Sequence, residues 1–567
     1  MTANSAGEKL CPNFKLLALV EDERTKQFSC VVQFSSVFGD PRRIWIKRAD
    51  FYDAKLLSAT LKNSGAQFSP DDDVNEEAVN RLIASGENAE KWKIAANAGW
   101  RSDDEQFVLQ YETIGVGDPA VRVLPPGASD ETRISKLGRK GTLKGWRKRV
   151  AKPARYSSRM VLGICAAFAA PLLKYAGINS FGIQISGPAK TSRSTGLVAA
   201  ASTLGFGHES DLPNFRATDA ALGELPYEFN DCLFPLNELA LLKGHDRARQ
   251  ERMRDFAYGL SEGSGTAYSK FFTQKSTLQW RTIALANSEE SAEELAQKAG
   301  MARMGGEAIR WIDVPALRKG RTTMFDRAPS KLFENDESGW AKAISKKIRK
   351  GAQNNHGAAM CRFIELAMER RDSIASDVKA KSKLFGEAVA RTSDGPSVLH
   401  LASCFALLYA AGALAAELDI VPWSEDVVLR CIKRCYFDAK RAMRTPEELQ
   451  RNGLKILAKR LADGRLLTVA KEIPKAMAKA DGYVVTAGMS QKITVRAERF
   501  KSWFPDQRQP RLVLDWLIKN GAIVPSGEPD RGNGVGWARS QKTWPNGTRV
   551  RSIVIDLPLH VRKLLPH

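Results

Sequence analysis

The chain has 567 residues, more than one hydrophobic core normally supports, so several domains are expected. Its composition, 43% hydrophobic and 26% charged, is ordinary for a globular protein, but 86 lysines and arginines outnumber 64 acidic residues and give a net charge of +22. This charge favours a polyanionic partner, nucleic acid ahead of an anionic membrane, over the alternative of surface basicity without a specific partner.

Cysteine and histidine usage argues against several classes of protein. The eight cysteines form no C-x-x-C pair, and the six histidines show no zinc spacing, so neither a disulfide scaffold nor a zinc site is expected. The first residues lack the build of a secretory signal, and the two most apolar stretches, 160–173 and 401–416, are shorter than a membrane span. We therefore predict buried helices there, reduced thiols, a cytoplasmic location and no membrane partner.

Residues 1–133 are predicted to form an N-terminal α+β domain. Short β-like runs alternate with turns, and helical patterns cover residues 53–62 and the stretch from Glu76. Acidic turn residues precede the second helix, at the positive end of its dipole. The β-like runs are FKLLAL, FSCVVQF, RRIWIKR, FVLQYETI and VRVLPPG.

Residues 134–159 are predicted to be a basic linker. The segment KLGRKGTLKGWRKRVAKPARYSSR, residues 136–159, holds ten lysines and arginines and no acidic residue. Such a run repels itself and is expected to be extended or mobile unless an anion neutralises it. Two interpretations stay open, a solvated linker and a contact with a phosphate backbone, and the second places Arg147, Lys148 and Arg149 in a nucleic-acid site.

Residues 160–335 are predicted to form an α/β core, followed by a helical region over residues 336–465. Apolar runs of four to eight residues, among them CLFPLNEL and WRTIALANS, alternate with helical stretches, which is typical of a parallel sheet covered on both faces. Within the helical region, Thr445 has the character of an N-cap, Pro446 takes the first helical position, and Glu448 closes a capping box.

Residues 466–567 are predicted to form a winged-helix-like domain. The strand-like YVVTA is followed by VRAERFKSWF, PRLVLDWLIKN and a β-hairpin with a long basic tip. In a winged helix the second helix enters a groove and the wing lies along the backbone, although such domains also dock proteins. Trp537 and Trp544 are predicted to be stacking faces. The cations assigned to this nucleic-acid site are Arg531, Arg539, Lys542, Arg549 and Arg551.

The loop SGPAKTSRSTG, residues 186–196, lies between a strand-like and a helix-like run, where a P-loop G-x-x-x-x-G-K-[ST] would lie. A P-loop holds phosphates with backbone N–H groups at a helix N-terminus. Gly187 matches the first glycine and Ser194 the magnesium-binding hydroxyl. Ser192 replaces the second glycine, and Arg193 replaces the lysine with a planar cation that is not equivalent to an ammonium.

A partner motif should follow, an apolar strand that ends in Asp-Glu and positions Mg²⁺ and the attacking water. In CLFPLNEL, residues 232–239, Glu238 is the predicted catalytic residue, whereas Asn237 offers no charge to a cation. Each lost charge contact is expected to remove about two decades of rate, so binding and use of ATP and Mg²⁺ should be impaired. The predicted nucleotide-binding residues are Gly187, Lys190, Arg193, Ser194, Thr195 and Asn237.

A series of motifs, quoted at the end of this paragraph, resembles the family called domain of unknown function 927. Its members are carried by phages, plasmids and integrative elements, and some resemble AAA+ MCM-like helicases with a C-terminal winged helix. The resemblance covers roughly residues 14–557 and implies a multidomain α/β fold: an N-terminal α+β domain, an AAA+-like P-loop core with a helical extension, and a winged-helix-like domain. The motifs are FAAPLLKYAGINSFGIQISGPAKTSRSTGLVAAASTLGFG, FRATDAALGEL, FNDCLFPLNEL, YGLSEGSGTAYS, WRTIALANSEESAEELAQKAG, GGEAIRWIDVPA and LHLASCFALLYAAGALAAELDIVPW.

The chain departs from this family where nucleotide chemistry would lie. The family usually has glycine and lysine at the positions of Ser192 and Arg193, and aspartate at that of Asn237. Other basic positions are also replaced, whereas several matching residues remain. The further replacements are Thr266, Tyr268, His400 and Cys404, and the matching residues are Glu238, Glu289, Arg310 and Asp313.

Three functions follow from these observations. The first is a DNA-binding, AAA+-like protein of a mobile element with little or no ATPase, acting as a scaffold or subunit beside an active replication partner, as a homo- or hetero-oligomer. The second is a working ATP-dependent helicase that uses Arg193 and Glu238 despite the substitutions. The third is a protein-interaction module whose positive charge is incidental.

Overall fold

A computed structural model describes residues 12–101, 104–129, 136–216, 218–265, 278–301, 303, 305–328, 336–392, 394–444, 446–462, 466–469, 477, 479–487, 490–506, 508–523, 540–558, 561 and 564–565. The chain divides into two compact units. Unit 1 comprises Met1–Leu295, Ile309–Thr392 and His400–Ala439, and unit 2 comprises Ala296–Ala308, Ser393–Leu399 and Lys440–His567.

The N-terminal part of unit 1 contains a mixed sheet of order β3-β2-β1-β4-β8 and a small antiparallel sheet, β5-β6-β7. The helix predicted over 53–62 begins one residue later, because the Asp53 carboxylate caps its first N–H groups. The second helix begins at Asp72 rather than Glu76, because Asp71 caps it. The elements are β1 Lys15–Asp22, β2 Phe28–Ser35, β3 Pro41–Lys47, α1 Arg48–Phe51, α2 Ala54–Asn63, α3 Asp72–Ala84, β4 Glu90–Ile94, β5 Gly99–Arg101, β6 Gln106–Val108, β7 Thr113–Gly115 and β8 Val121–Leu124.

The basic segment is helical and packed, not extended backbone as its charge suggests. Helix α4, Leu143–Trp146, continues through a π-helical turn, Arg147–Ala151, into α5, Lys152–Ala154. Trp146, Val150 and Ala154 are fully buried. Burial of this apolar stripe outweighs the repulsion between the cations, because Lys148, Arg149 and Lys152 remain exposed to solvent and Arg147 is paired with Asp419. The next two helices along the chain are α6 Ser158–Ala169 and α7 Leu173–Ala176.

A four-stranded parallel sheet of order β10-β11-β9-β12 forms the centre of unit 1. All six residues of β9 and of β11 are buried, as expected for strands covered on both faces. Because the strands are parallel, the loops after β9, β10 and β11 meet at one edge of the sheet. The elements are β9 Phe181–Ser186, α8 Arg193–Leu204, α9 Asp219–Glu228, β10 Leu233–Leu236, α10 Asp246–Glu262, β11 Ile283–Ser288, α11 Ala292–Lys298, α12 Gly305–Arg310 and β12 Trp311–Pro315.

A run of six helices follows the sheet, over the region predicted to be helical. Helix α18 begins at Pro446, the residue predicted for its first position, while Thr445 lies outside the described residues. The helices are α13 Glu337–Asn354, α14 Ala358–Glu369, α15 Ile374–Val389, α16 Pro396–Glu417, α17 Glu425–Met443 and α18 Pro446–Ala462.

Unit 2 carries a five-stranded sheet of order β13-β14-β15-β17-β16. Its core includes Phe500, Leu514 and Ile555. The predicted hairpin is present as β16 and β17, but its turn is the short stretch 544–548, and the Gly-rich basic stretch before it lies largely outside the described residues. The elements are β13 Leu466–Thr468, β14 Gly482–Ala487, β15 Ser490–Arg496, α19 Ala497–Ser502, α20 Gln509–Lys519, β16 Ser540–Thr543 and β17 Arg549–Leu557.

Two helical stretches, Ser158–Ala176 and Pro396–Glu417, are long and apolar enough to cross a membrane, but 83% and 78% of an 18-residue apolar window in each is buried within the protein. This is how core helices behave, in agreement with the prediction of buried helices over 160–173 and 401–416. Every cysteine in the described part of the chain is buried and free, so the thiols there serve as small apolar side chains.

Candidate nucleotide and nucleic-acid sites

The loop between β9 and α8 is a tight bend at the carboxyl edge of the parallel sheet. Lys190 and Ser192 both have left-handed backbone, with φ of 63° and 75°. Ser192 is the residue immediately before α8, and glycine adopts this conformation at lower cost than serine. The Thr191 hydroxyl donates to the Pro188 carbonyl over 2.9 Å, and the Gly187 N–H donates to the Ser288 carbonyl at the end of β11. The bend is therefore anchored to its neighbouring strand.

Arg193 opens α8 and is buried, with 8% of its surface exposed. One guanidinium nitrogen, Nη2, lies 3.7 Å from the Glu289 carboxylate, while Nη1 has no hydrogen-bond partner among the described residues. Burial lowers the pKa of Arg193, and the charges of Glu238 and Glu289 oppose that shift. A buried cation with a free donor at a helix N-terminus is suited to an anion.

Asn287, at the end of β11, connects the loop to the strand that carries Glu238. Its amide oxygen accepts the Glu238 N–H over 2.9 Å, and its amide nitrogen donates to the Ser194 hydroxyl over 3.4 Å. Sequence analysis missed Asn287, because the residue gains its position only when β11 lies between β9 and β10.

Glu238 and Asn237 follow β10 at the same edge of the sheet. Glu238 has a φ of 53°, and its carboxylate accepts the Ala240 N–H, a local cap of 3.4 Å. The Asn237 backbone bonds to residues of the preceding loop, with its N–H on the Pro213 carbonyl and its carbonyl on the Phe215 N–H. The structure thus brings Arg193, Ser194 and Glu238 into one site beside Asn237.

This site fits an anion better than a metal ion. The free Nη1 of Arg193 can take a phosphate oxygen, and the backbone of residues 187–192 approaches the same helix end. The Mg²⁺ ligands are weak, since Asn237 is uncharged and the Ser194 hydroxyl already receives the Asn287 amide. Nowhere in the described chain do three or more histidine, cysteine, aspartate or glutamate residues gather as metal ligands.

Helix α13 packs against the start of α8, a contact that no local sequence pattern predicts. The Ser345 and Ser192 hydroxyls lie 3.0 Å apart. The Arg349 guanidinium donates to the Thr195 hydroxyl over 3.0 Å and to the Glu209 carboxylate over 2.5 Å. Thr195, one of the predicted nucleotide ligands, is therefore buried and engaged by α13, while Lys190 is exposed at the tip of the bend.

The other residues singled out from the family resemblance have mainly structural surroundings. Asp313 accepts the N–H groups of Ala292 and Glu293 and so caps α11. The Arg310 guanidinium lies 4.5 Å from the centre of the Tyr258 ring. Burial lowers the pKa of His400. Cys404 is buried, and Thr266 and Tyr268 lie outside the described residues.

The predicted nucleic-acid residues of the basic segment differ in their surroundings. The Arg147 guanidinium forms two hydrogen bonds to the Asp419 carboxylate, one of them 2.6 Å long, so its charge is compensated within the protein. Lys148 and Arg149, on the same π-helical turn as Arg147, are exposed.

In unit 2, Lys542, Arg549 and Arg551 are exposed on the hairpin, with the two arginines on one face of β17 and Lys542 on the other face of the pair. Trp544 was predicted to be a stacking face, and this is wrong. It is buried against Tyr483 and Arg496, and its indole N–H donates to the Ser552 hydroxyl. Arg531, Arg539 and Trp537 lie outside the described residues.

The comparisons with known proteins agree with the family resemblance. Residues 6–271 match the family described as domain of unknown function, DUF927. A solved structure named "SCCmec type IV Cch - active helicase" superposes with a TM-score of 0.57 at 15% sequence identity, over 97% of this chain and 94% of that one. At this identity the likeness shows the fold alone, a multidomain α/β fold that the two chains share. Curated protein sequences give no match.

Proposed function

We propose, from the match of residues 6–271 to the DUF927 family, that the chain is a DNA-binding, AAA+/helicase-like protein of a mobile genetic element with weak or absent ATPase. It would act in the cytoplasm as a scaffold or subunit beside an active replication partner, in a homo- or hetero-oligomer. Its net charge of +22 supports a polyanionic partner.

The order of the parallel sheet supports a P-loop core. Strand β11 lies between β9, which leads into the loop, and β10, which leads to Asn237 and Glu238. This order places the loop and the carboxylate on opposite sides of Asn287, at one edge of the sheet. Helices α19 and α20 with the β16–β17 hairpin likewise support the winged-helix interpretation of unit 2.

The observation that carries the proposal is the buried guanidinium of Arg193. In the sequence it takes the place of the P-loop lysine that would contact phosphate. The negative charges of Glu238 and Glu289 both stabilise its positive charge. A fixed planar cation already balanced by carboxylates gives less stabilisation to a developing phosphoryl charge than a mobile ammonium. In this site Arg193 and the loop backbone would bind phosphate, and Glu238 would have no charged metal ligand beside it to position water.

ATP turnover tests this proposal directly. We expect the wild-type rate, with or without DNA, to be no higher than that of the Glu238→Gln variant. We also expect nucleotide affinity to change less than about threefold on adding Mg²⁺, because Asn237 contributes no charge. Restoring the common residues in a Ser192→Gly, Arg193→Lys, Asn237→Asp variant should make binding Mg²⁺-dependent and tighten it by about tenfold or more.

A second candidate, a working helicase, is favoured by one observation. Glu238, Asn287 and Ser194 remain connected by hydrogen bonds, as a functional site would need. DNA-stimulated hydrolysis by the wild type that exceeds the rate of Glu238→Gln would establish this candidate and overturn the impaired-ATPase proposal. Failure to bind any DNA at low salt would overturn both and leave a protein-interaction module.

A further inference from the structure

Two neighbouring helical segments of unit 1 present unpaired cations to solvent. On the π-helical turn and α5 these are Lys148, Arg149 and Lys152, and on α13 they are Lys346, Lys347 and Lys350. All six are exposed, and none forms an ion pair within the described chain, in contrast to Arg147 and Arg349. We call these six residues the helix-pair surface.

The two segments run antiparallel and in close contact. Lys140 and His356 exchange backbone hydrogen bonds of 3.1 and 3.0 Å at one end. Further along, Gly351 lies against Arg149, and a Cβ at Gly351 would lie 2.8 Å from the Arg149 carbonyl oxygen. The absence of a side chain at Gly351 therefore lets the backbones of the two segments that carry these cations pack side by side.

No acidic residue interrupts this surface in the sequence. Residues 140–160 and 338–357 contain neither aspartate nor glutamate. The apolar side of the pair is buried through Trp146, Val150 and Ile348, so the cations are held on the outer side of a packed scaffold. Two acidic residues from elsewhere in unit 1 reach these segments, Asp419 on Arg147 and Glu209 on Arg349, and the six exposed cations keep a positive potential beyond those pairs.

We infer that the helix-pair surface binds the phosphodiester backbone of nucleic acid, with α13 supplying half of the contacts. The inference rests on the proposed nucleic-acid function and adds a helix that charge analysis of residues 136–159 did not include. Trp146 and Trp340, the tryptophans of the two segments, are buried and offer no ring to a base. Contacts between lysines and phosphates position the protein on the nucleic acid but do not distinguish bases. Binding at this surface is therefore independent of the nucleotide sequence.

The test is a triple variant of α13, Lys346→Gln with Lys347→Gln and Lys350→Gln, titrated with fluorescent DNA duplexes, single-stranded DNA and RNA over a range of salt. Each lost phosphate contact lowers the slope of log affinity against log salt by about 1, so we expect a slope lower by about 2 to 3. Affinity at low salt should fall at least about tenfold, equally for unrelated sequences. The matched control neutralises three exposed lysines elsewhere in unit 1, Lys55→Gln, Lys91→Gln and Lys379→Gln.

An α13 variant that retains the slope and affinity of the control overturns the inference while the proposed nucleic-acid function stands. Absence of binding by the wild type to every nucleic acid at low salt overturns both. A second variant, Lys148→Gln with Arg149→Gln and Lys152→Gln, tests the other row of cations. If the α13 variant does not fold, this second variant must show the same loss of slope for the inference to hold.

Discussion

At the scale of single residues, Arg193 combines burial with an unsatisfied donor at the start of α8. It is buried, and one of its donors has no partner in the described chain. An unsatisfied buried donor costs about 1–3 kcal/mol, a cost that is recovered if an anion binds there. Arg349, on α13, is the opposite case, since its guanidinium bonds to Thr195 and Glu209.

This contrast leads to a pair of variants. Arg193→Met keeps the apolar stem of the side chain and removes the guanidinium with its unsatisfied donor, so the free energy of unfolding without ligand should stay within about 1 kcal/mol of wild type or rise. Stabilisation by added pyrophosphate or nucleotide should disappear. Arg349→Met should instead lower the free energy of unfolding by about 1–3 kcal/mol. Urea denaturation with and without pyrophosphate measures both quantities.

An Arg193→Met variant that loses as much stability as Arg349→Met would show that Arg193 is structural. A variant that keeps its response to pyrophosphate would show that the anion binds elsewhere. Either result contradicts the assignment of Arg193 to the phosphate site.

At the scale of secondary-structure elements, the central sheet depends on a close approach between β9 and β12. Gly182 is paired with Trp311, and a Cβ on Gly182 would lie 1.9 Å from Cε3 of the indole. The ring is fully buried, contacts Phe215 and Phe256, and donates its N–H to Gln184 over 2.7 Å. The indole therefore has no room to move aside.

We expect Gly182→Ala to lower the free energy of unfolding by more than about 3 kcal/mol, because a single added methyl group overpacks the core at a site that cannot relax. Gly223→Ala is the matched control, since a Cβ there meets nothing within 4 Å inside helix α9. Alanine forms helix better than glycine, so the control should be neutral or stabilising by up to about 1 kcal/mol. Comparable thermal unfolding of the two variants would contradict the described packing of β9 against β12.

Prediction from sequence succeeded for elements whose signal is local and failed where the environment is set by distant residues. The bend before Arg193 and the start of α18 at Pro446 follow from short patterns and match the structure. The ion pair of Arg147 with Asp419 joins positions 272 residues apart, and no local pattern indicates it. The same holds for Trp544, whose burial depends on Tyr483 of another strand.

At the scale of the whole molecule, the multidomain α/β architecture was predictable because apolar runs alternate with helical patterns over most of the chain. The order of the strands was not, since parallel strands of similar composition can be arranged in several ways. That order decides which residues share the site, and it is the reason Asn287 was missed. The packing of α13 beside the basic segment could not be predicted either, because the two are about 200 residues apart in sequence.

Two histidines of unit 1, the half-buried His356 and the more exposed His400, contribute to the dependence of global stability on pH. Burial lowers the pKa of His356, near Lys140, His208 and Asp211, and its ring nitrogen lies 2.8 Å from the Ala352 carbonyl. Burial, with Arg310 nearby, also lowers the pKa of His400. Because both folded-state pKa values lie below the unfolded value of about 6.5, the unfolded chain binds more protons at mildly acidic pH.

Stability should therefore be lost as the pH falls below about 6.5, by at most about 1.4 kcal/mol per pH unit for each histidine. A His356→Gln, His400→Gln variant should lose less between pH 7 and pH 5.5, whatever its stability at pH 7. Urea denaturation of both proteins at pH 7, 6.5, 6 and 5.5 measures the difference. Both proteins have the same carboxylates, so the contribution of these groups to the pH dependence cancels when the two profiles are subtracted. Parallel pH profiles for wild type and variant would mean that these imidazoles remain as accessible to protons in the folded protein as in the unfolded chain.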